Sequence, residues 1–294
     1  MEPVIHAEFE RKTSTFQYIV ACPKTKQAVI IDPVLDYDQA TLSLSTTSAR
    51  SLQKKVETLG YSVVRLLETH AHADHLSASH FLQKAFVAAG QPKPPICIGH
   101  RIQTVQQTFA RRYGIPEDEL RGAFDHLWND NEKFSIGDLT AQVLHLPGHT
   151  PDHIGYWIGD NVFTGDSIFN PDVGTARSDF PGGDARALWR SMQRLMSLPD
   201  HTNIYTGHDY PHERDAMAGV TVAEQRERNK HVKQGTSEED YVRWRTERDS
   251  SLQEPKLIHP SLQVNVRGGR LPRRWHNGGV FFNLLVQAPE ELHE

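Results

Sequence analysis

Cysteine is scarce in this sequence: only Cys22 and Cys97 occur among 294 residues. This number excludes the disulfide framework of a small secreted domain, and no Asn-x-Ser/Thr glycosylation acceptor is present. The first ten residues are acidic and lack the apolar stretch of a secretion signal. No apolar run approaches the roughly 20 residues that cross a bilayer. We therefore expect no membrane association and an intracellular location, cytoplasmic or in the mitochondrial matrix.

An excess of basic charge is also missing, because 32 Lys and Arg residues face 37 Asp and Glu residues. The formal charge of −5 argues against a nucleic-acid binder. The chain has no internal repeat at a fixed short period and no obvious linker. We expect a single domain over residues 1–294, with a core at about 15–212 and a helical and irregular C-terminal extension at 213–294.

Short apolar runs alternate with helical patterns along the chain. The runs predict strands at residues 15–21, 26–33, 62–67, 94–99, 139–146, 153–158, 161–164 and 203–205. Apolar residues at helical spacing predict helices at 48–59, 79–90 and 101–113, after a cap at Asp184, and within 213–255. Strands interleaved with helices are typical of a layered α/β fold with the helices outside.

The chain contains 17 histidines, and their placement is more informative than their number. The segment His70-Ala-His-Ala-Asp-His75 places three imidazoles and one carboxylate directly after the strand at 62–67. Imidazole and carboxylate groups are ligands for zinc, iron and manganese, and the alanines between them leave room for a sharp turn. We interpret this segment as part of a metal site and not as a polar surface loop.

Three further strand ends carry ligand-type side chains. His149 follows Pro-Gly, while Asp166 and His208 each follow Thr-Gly. A lone histidine after a strand is more often structural than functional, but four such strand ends in one chain predict a shared metal centre.

The order of these motifs, HxHxDH, PGHT, TGDS and GHDY, resembles the metallo-β-lactamase superfamily over about residues 15–212. The resemblance is to its glyoxalase II-like branch, and within it to the persulfide dioxygenases, chiefly their longer bacterial-type members. It implies an αββα sandwich with the metal site at the strand ends. The resemblance further implies two ligand sets joined by a bridging Asp166: His70, His72 and His149 for a first metal, and Asp74, His75 and His208 for a second.

Two enzyme classes on this scaffold fit the sequence. In a hydrolase, a metal-bound hydroxide attacks the carbonyl of a thioester, lactone or lactam, with one or two Zn(II) as cofactor. In a glutathione persulfide dioxygenase, a single Fe(II) per chain sits on His70, His149 and Asp166 and leaves positions open for oxygen and sulfur. The latter converts the terminal sulfur of glutathione persulfide to sulfite and releases glutathione.

Short local features of the sequence favour the dioxygenase. The first residue between the histidines is the small Ala71, and Asp209 in GHDY stands where glyoxalase II usually has Glu. The stretch Ala176-Arg-Ser-Asp-Phe180 is similar to the GRTDF stretch of persulfide dioxygenases. The long span between His75 and His149 and the C-terminal extension depart from the short mitochondrial-type dioxygenases. Both additions would wall the pocket and change which substrate fits, so the hydrolase stays open as the alternative, as does a metal-binding protein without catalysis.

Further site residues are expected beside the metal ligands. We expect Asp74 and Tyr210 to be catalytic, and Arg177 and Tyr210 to contact a small-molecule, thiol-derived substrate. Arg177 has an equally plain alternative in a salt bridge to Asp179 or Asp184, and Tyr210 has one in packing behind His208. A homodimer is the expected assembly if the chain is not a monomer.

Overall fold

Two six-stranded sheets lie face to face in the computed structural model, which describes residues 1–286 and residue 289. The strands in chain order are β1 (Val4–Glu10), β2 (Thr15–Ala21), β3 (Gln27–Ile31), β4 (Val34–Asp38), β5 (Ser43–Ser45), β6 (Ser62–Leu67), β7 (Leu76–Ser77), β8 (Ile96–Gly99), β9 (His126–Trp128), β10 (Lys133–Ile136), β11 (Leu139–His145), β12 (Ile154–Ile158), β13 (Asn161–Phe163), β14 (Asn203–Tyr205) and β15 (Gly219–Thr221). The helices are α1 (Thr47–Thr58), α2 (Ser79–Ala88), α3 (Ile102–Tyr113), α4 (Glu117–Leu120), α5 (Ala185–Met196), α6 (Val222–Arg228), α7 (Glu238–Ser250) and α8 (Ile258–Asn265).

The first sheet has the order β1-β2-β3-β6-β8-β9, antiparallel from β1 to β3 and parallel from β3 to β9. In the second sheet β10 to β15 follow one another in chain order, and only β13 and β14 are parallel. The short strands β5, β4 and β7 form a small third sheet. Because parallel strands end on the same edge, the loops after β6 and β8 leave the first sheet together.

Burial on both faces explains the continuous apolar sequence of the central strands. Along β2, Phe16, Tyr18 and Val20 point into the space between the two sheets, where they meet Tyr156 and Phe163 of the second sheet. The alternate residues of the same strand point outward to the helices. A strand that contributes to two apolar layers has no solvent-facing side, so its polar positions are few.

Helices cover the outer face of each sheet. On the first sheet α1 and α2 pack through Leu52, Val56, Leu82 and Phe86, and on the second sheet α5 and α7 pack in the same way. Asp184 accepts a hydrogen bond from the Ala187 backbone N–H and so begins α5, as its side chain predicted. The four layers form the αββα sandwich that the motif order implied.

Several elements were not predicted from the sequence. The strands β1, β4, β9 and β10 and the helices α4 and α8 lie in segments that are polar, short or rich in turn residues. The polar stretch before Asn131, for example, contains both α4 and β9, the outermost strand of the first sheet. Tertiary pairing, and not local pattern, determines these elements. Among the described residues, no helix is both long and apolar enough to cross a membrane.

Candidate metal centre

The ligand-type residues come from four loops that leave the sheets at one edge of the sandwich. The loop after β6 carries residues 70–75, and the loops after β11, β13 and β14 carry His149, Asp166 and His208. The two sheets are joined at this edge, because the Phe16 backbone N–H donates to the Gly207 carbonyl at 2.8 Å. Residues 138 positions apart in the chain, such as His70 and His208, therefore lie around a common centre.

A first group consists of two histidines and one aspartate. The ligand atoms of His70, His149 and Asp166 all lie within 4.8 Å of one another, and all three residues are buried. Oδ2 of Asp166 is 4.0 Å from Nε2 of His70 and 3.8 Å from Nε2 of His149. The three atoms converge on one point that an ion can occupy.

A second group uses the other oxygen of the same carboxylate. Oδ1 of Asp166 is 3.4 Å from Nε2 of His208, which in turn lies 2.9 Å from Oδ2 of Asp74. Asp74 also groups with His72 and His75 within the same 4.8 Å limit. Asp166 thus presents one oxygen to each group, as a bridging carboxylate does.

Hydrogen bonds behind the rings set which nitrogen of each histidine faces the centre. Nδ1 of His149 donates to the Arg177 carbonyl at 2.8 Å, and Nδ1 of His208 donates to the Ser14 carbonyl at 3.1 Å. A carbonyl can only accept a hydrogen bond, so Nδ1 carries a proton in both rings. When either ring is neutral, its lone pair is therefore on Nε2 and points toward Asp166.

Asp32, which was not identified from the sequence, sets the orientation of two further histidines, His70 and His72. Its carboxylate accepts from Nε2 of His72 at 3.0 Å and from the Thr69 hydroxyl at 2.8 Å. Because the Thr69 hydroxyl donates its hydrogen bond to Asp32, its oxygen accepts a hydrogen bond from Nδ1 of His70 at 3.0 Å. The lone pairs of His70 and His72 are therefore left on Nε2 and Nδ1. Burial would raise the pKa of Asp32, but His72 and Thr69 bring it below its ordinary value.

Titration in the centre favours ligand forms for His70 and Asp74 but not for His72 and His208. Although burial opposes protonation of His72, Asp32 and Glu68 raise its pKa well above the ordinary value. Burial, together with neighbouring histidines, lowers the pKa of His70 well below its ordinary value, so this ring is neutral. Although burial opposes ionisation of Asp74, His208 and His75 hold its pKa well below the usual range. Burial also opposes protonation of His208, yet Asp166 and Asp74 raise its pKa to about 10. A metal ion at this position would displace that proton.

The residues fit a metal because their inward atoms make no hydrogen bond outside the group; the contact of 2.9 Å between Nε2 of His208 and Oδ2 of Asp74 is within it. The buried atoms without a hydrogen bond among the described residues include Nε2 of His70, Nδ1 of His72, both ring nitrogens of His75, Oδ2 of Asp74, Oδ1 of Asp166 and Nε2 of His208. Buried polar atoms are otherwise nearly always paired. Seven such atoms in one place, all of ligand type, form a metal-binding cluster of His and Asp. The division of the seven predicted ligand residues, which include His149, between two metal sites remains a prediction.

Two more residues that sequence reasoning missed support Asp166 and the first loop. Nε2 of His153 accepts from the Asp166 backbone N–H at 3.0 Å, and its ring stacks on His70 at 4.6 Å. Oδ2 of Asp152 accepts from the Ala71 backbone N–H at 2.9 Å. Both residues directly follow the PGHT motif in the sequence, where a polar pair before a strand gave no distinct signal.

A cavity of about 520 Å³ opens beside the centre, which is within the usual size of a small-molecule site. Asp74, His149 and Asp166 form its floor. One part of its wall comes from the core, and the other comes from the C-terminal extension, including Lys230, Trp244, Arg245, Arg248 and Leu252. The extension therefore lies over the metal centre, as its length suggested, whereas no residue of α3 lines this cavity.

Arg177 and Tyr210 both line this cavity, each with a further contact. The Arg177 guanidinium pairs with Asp179 through two contacts of 2.5 Å and donates to the Gln253 carbonyl at 3.0 Å. Asp184 does not take part, because it caps α5. The Tyr210 ring stacks on His208 at 5.9 Å and remains 51% exposed. Substrate contact by these two residues stays a prediction.

Comparison with known proteins gives a consistent family match. The sequence profile of the metallo-beta-lactamase superfamily matches residues 12–208. A Beta-lactamase hydrolase-like protein of Xylella fastidiosa is 42% identical over 290 residues, which are 98% of this chain but 66% of that protein. The chain therefore spans slightly less than two thirds of that relative. Glyoxylase B2 of Dictyostelium discoideum is also 42% identical, over 92% of each chain.

More distant relatives carry a different name. Persulfide dioxygenase ETHE1 of Bos taurus is 27% identical, over 89% of this chain and 87% of that protein. Among solved structures, ETHE1 from Myxococcus xanthus superposes with a TM-score of 0.70 and 29% identity, covering 91% of this chain and all of that one. The fold of the structure and the family indicated by the motif order therefore agree, and the matches extend over nearly the whole chain.

Proposed function

Because this chain belongs to the metallo-β-lactamase superfamily, we propose that it is a persulfide dioxygenase. It oxidises the terminal sulfur of a persulfide of glutathione type to sulfite at one Fe(II). The reaction balances as RSSH + O₂ + H₂O giving RSH, sulfite and two protons, where RSSH is the persulfide. The sulfane sulfur is oxidised and oxygen is reduced, so no further electron donor is required.

The observation that carries this proposal is the group formed by His70, His149 and Asp166. Two histidines and one carboxylate, all with their lone pairs on the same side, are the ligand set of mononuclear non-haem Fe(II) oxygenases. When bound there, Fe(II) would supply open coordination positions for oxygen and for the persulfide sulfur. The 27% identical bovine relative and the ETHE1 structure from Myxococcus xanthus support the same choice.

The charges of the cavity support an anionic substrate. Arg177 and Arg245 are neutralised by Asp179 and Asp249, but Lys230 and Arg248 line the cavity and form no ion pair within the described part of the chain. Two unpaired cations facing a metal centre attract carboxylates such as those of a small thiol peptide.

The other cavity residues then have defined tasks. Asp74, which stays ionised, accepts a hydrogen bond from the water that supplies the third oxygen of sulfite. Tyr210, whose ring stacks on His208, donates a hydrogen bond from its hydroxyl to the bound substrate. The Arg177 carbonyl holds His149 in the tautomer that leaves Nε2 free.

A hydrolase is the second candidate, and one observation favours it. His72, Asp74, His75 and His208 form a second ligand set beside the first, which a mononuclear enzyme does not need. Two zinc ions sharing Asp166 would activate a water and polarise a carbonyl of a thioester, lactone or lactam. The names of the 42% identical relatives, Beta-lactamase hydrolase-like protein and Glyoxylase B2, point in the same direction.

Metal content and oxygen consumption separate the two functions. Protein purified without oxygen should contain about one iron per chain and take up oxygen when glutathione persulfide is added, with sulfite as product. The same protein stripped and reloaded with Zn(II) is the control and should take up none. Two zinc ions per chain, no oxygen uptake with iron, and turnover of a thioester or lactone would overturn the proposal and select the hydrolase.

A further inference from the structure

The geometry points to Asn265, at the end of α8 in the C-terminal extension, as a positioning residue of the metal centre. We propose that it fixes the turn 72–77 that carries Asp74 and His75, and thereby sets the affinity of the second ligand group for its metal. The residue lies 57 positions beyond the end of the family match at 208. The inference rests on metal binding at the proposed centre, but on neither choice of reaction.

Asn265 makes three hydrogen bonds to this one turn. Its Nδ2 donates to the carbonyl of His72 and to the carbonyl of His75, each at 2.8 Å. Its Oδ1 accepts from the Ser77 backbone N–H, also at 2.8 Å. The side chain is only 4% exposed, so water does not compete for these bonds.

The chemistry of the contact fits an amide group. The turn offers two acceptors and one donor, and an asparagine side chain offers two donors and one acceptor. Rotating the amide by half a turn would place its oxygen against two carbonyls. Every polar atom of Asn265 is therefore committed to the turn, in one orientation.

Packing brings α8 close enough for this contact. Leu262 and Val266 of α8 lie in one apolar cluster with Ala71 and Ala73, the small residues between the ligands. After the helix, Gly269 has a φ of +83°, and a Cβ there would stand 3.0 Å from the Ser77 carbonyl oxygen. The extension and the metal-binding loop are thus in direct backbone contact.

His75 depends most on this support. The rings of His70, His72, His149 and His208 are each oriented by a hydrogen bond on the side away from the centre. Neither ring nitrogen of His75 has such a bond among the described residues. Nδ1 of His75 lies 3.5 Å from Oδ1 of Asp74, but that carboxylate is carried by the same turn. The direction of His75 therefore depends on the backbone of the turn, and Asn265 holds the carbonyl of that same residue.

The first test is hydrogen exchange in the metal-free protein, compared between Asn265→Ala and Gln263→Ala. Gln263 is the matched control, because it is also buried in α8 and its amide also makes three hydrogen bonds, but to His259 and Asn283. Amides of residues 72–77 should exchange about tenfold faster in Asn265→Ala and at the wild-type rate in Gln263→Ala. Equal protection of the turn in both variants would overturn the proposal.

The second test is a titration of each metal-free protein with Zn(II) against a competing chelator. One of the two binding steps should lose about tenfold or more in affinity in Asn265→Ala, while the other step changes little and Gln263→Ala matches wild type. An equal loss in both steps, or none, contradicts a specific role. Neither readout involves oxygen or a persulfide, so both stand even if the reaction is not the one proposed.

Two measurements keep the proposal open to refutation if Asn265→Ala fails to fold. Asn265→Asp keeps the size and the acceptor for Ser77 but places a carboxylate oxygen against two carbonyls, so it should also accelerate exchange in the turn. In wild-type, metal-free protein, the Ser77 amide should be among the protected ones, since it donates to Oδ1 of the buried Asn265. Exchange of that amide at the rate of an exposed loop would sink the idea without any variant.

Discussion

The core of the chain, up to residue 212, and the C-terminal extension contribute different things to the same site. The seven metal ligands predicted from the sequence all lie in the core, from His70 to His208. The extension supplies part of the cavity wall, both unpaired cations and the hydrogen bonds of Asn265 to the metal-binding loop. The difference teaches that the sandwich brings the ligand residues together, while the extension lines part of the cavity beside them and forms hydrogen bonds to one ligand loop.

The strongest way to break this comparison is to remove a ligand from the core. Asp166→Ala should lose bound metal and activity together, because Asp166 contributes an oxygen to each ligand group. His70→Ala should lose metal from the first group. Metal content by elemental analysis, alongside turnover, checks both.

The control for these variants is Asp172→Ala, which removes a half-exposed carboxylate six residues after Asp166 that pairs with Arg214. It should keep its full metal content. Stoichiometric metal retained in Asp166→Ala and His70→Ala would show that the ligand set is wrongly assigned.

An effect of intermediate size is expected where the extension is anchored to the core. Asp249 of α7 is buried, pairs with Arg245 and accepts from the Ser178 backbone N–H at 2.7 Å. Asp249→Ala would leave the Arg245 guanidinium buried without its partner and should lower the free energy of unfolding by about 3–5 kcal/mol. Chemical denaturation of the metal-free protein measures this.

Arg243→Ala on the same helix is the matched control, since its pair with Asp240 is exposed and should be worth at most about 1 kcal/mol. If the two variants lost the same stability, α7 would not be anchored through its buried pair.

The smallest effect is expected at the cavity mouth and concerns substrate alone. Arg248→Ala and Lys230→Ala should each raise KM for an anionic persulfide by about fivefold, with kcat nearly unchanged, because an exposed charge pair contributes up to about 1 kcal/mol. The effect should shrink with added salt. Arg243→Ala, which lies outside the cavity, should leave KM as it is. A fall in kcat at constant KM would assign these cations to the chemical step instead.

The ligand positions and the αββα fold were predictable because their signals are local and repeated. Each ligand loop follows a short apolar strand and contains glycine or alanine beside the ligand, and Asp166 and His208 even share Thr-Gly. Asp32 follows β3 in a similar way, so a signal existed, but the proline after it was interpreted as the end of a strand. The sequence of the metal-binding loop does not indicate that Asp32 orients its histidines.

Asn265, Lys230 and Arg248 had no comparable signal. Lys230 and Arg248 stand among other charged residues, and Gln263, two positions away from Asn265, is chemically similar but contacts other residues. What distinguishes them is the position of α7 and α8 against the core, which depends on the packing of Leu262, Val266 and Tyr241. Long-range packing of this kind has no periodic trace in the sequence.

Asp166 has a thermodynamic consequence that reaches beyond the ligand count. In the predicted arrangement with two metal sites, one carboxylate shared by both ions would link their occupancies, so that filling either site would change the affinity of the other by the same factor. The number of ions per chain then depends on free metal concentration and on which metal arrives first. The same polypeptide can therefore be isolated with different loadings from cells grown on different trace elements.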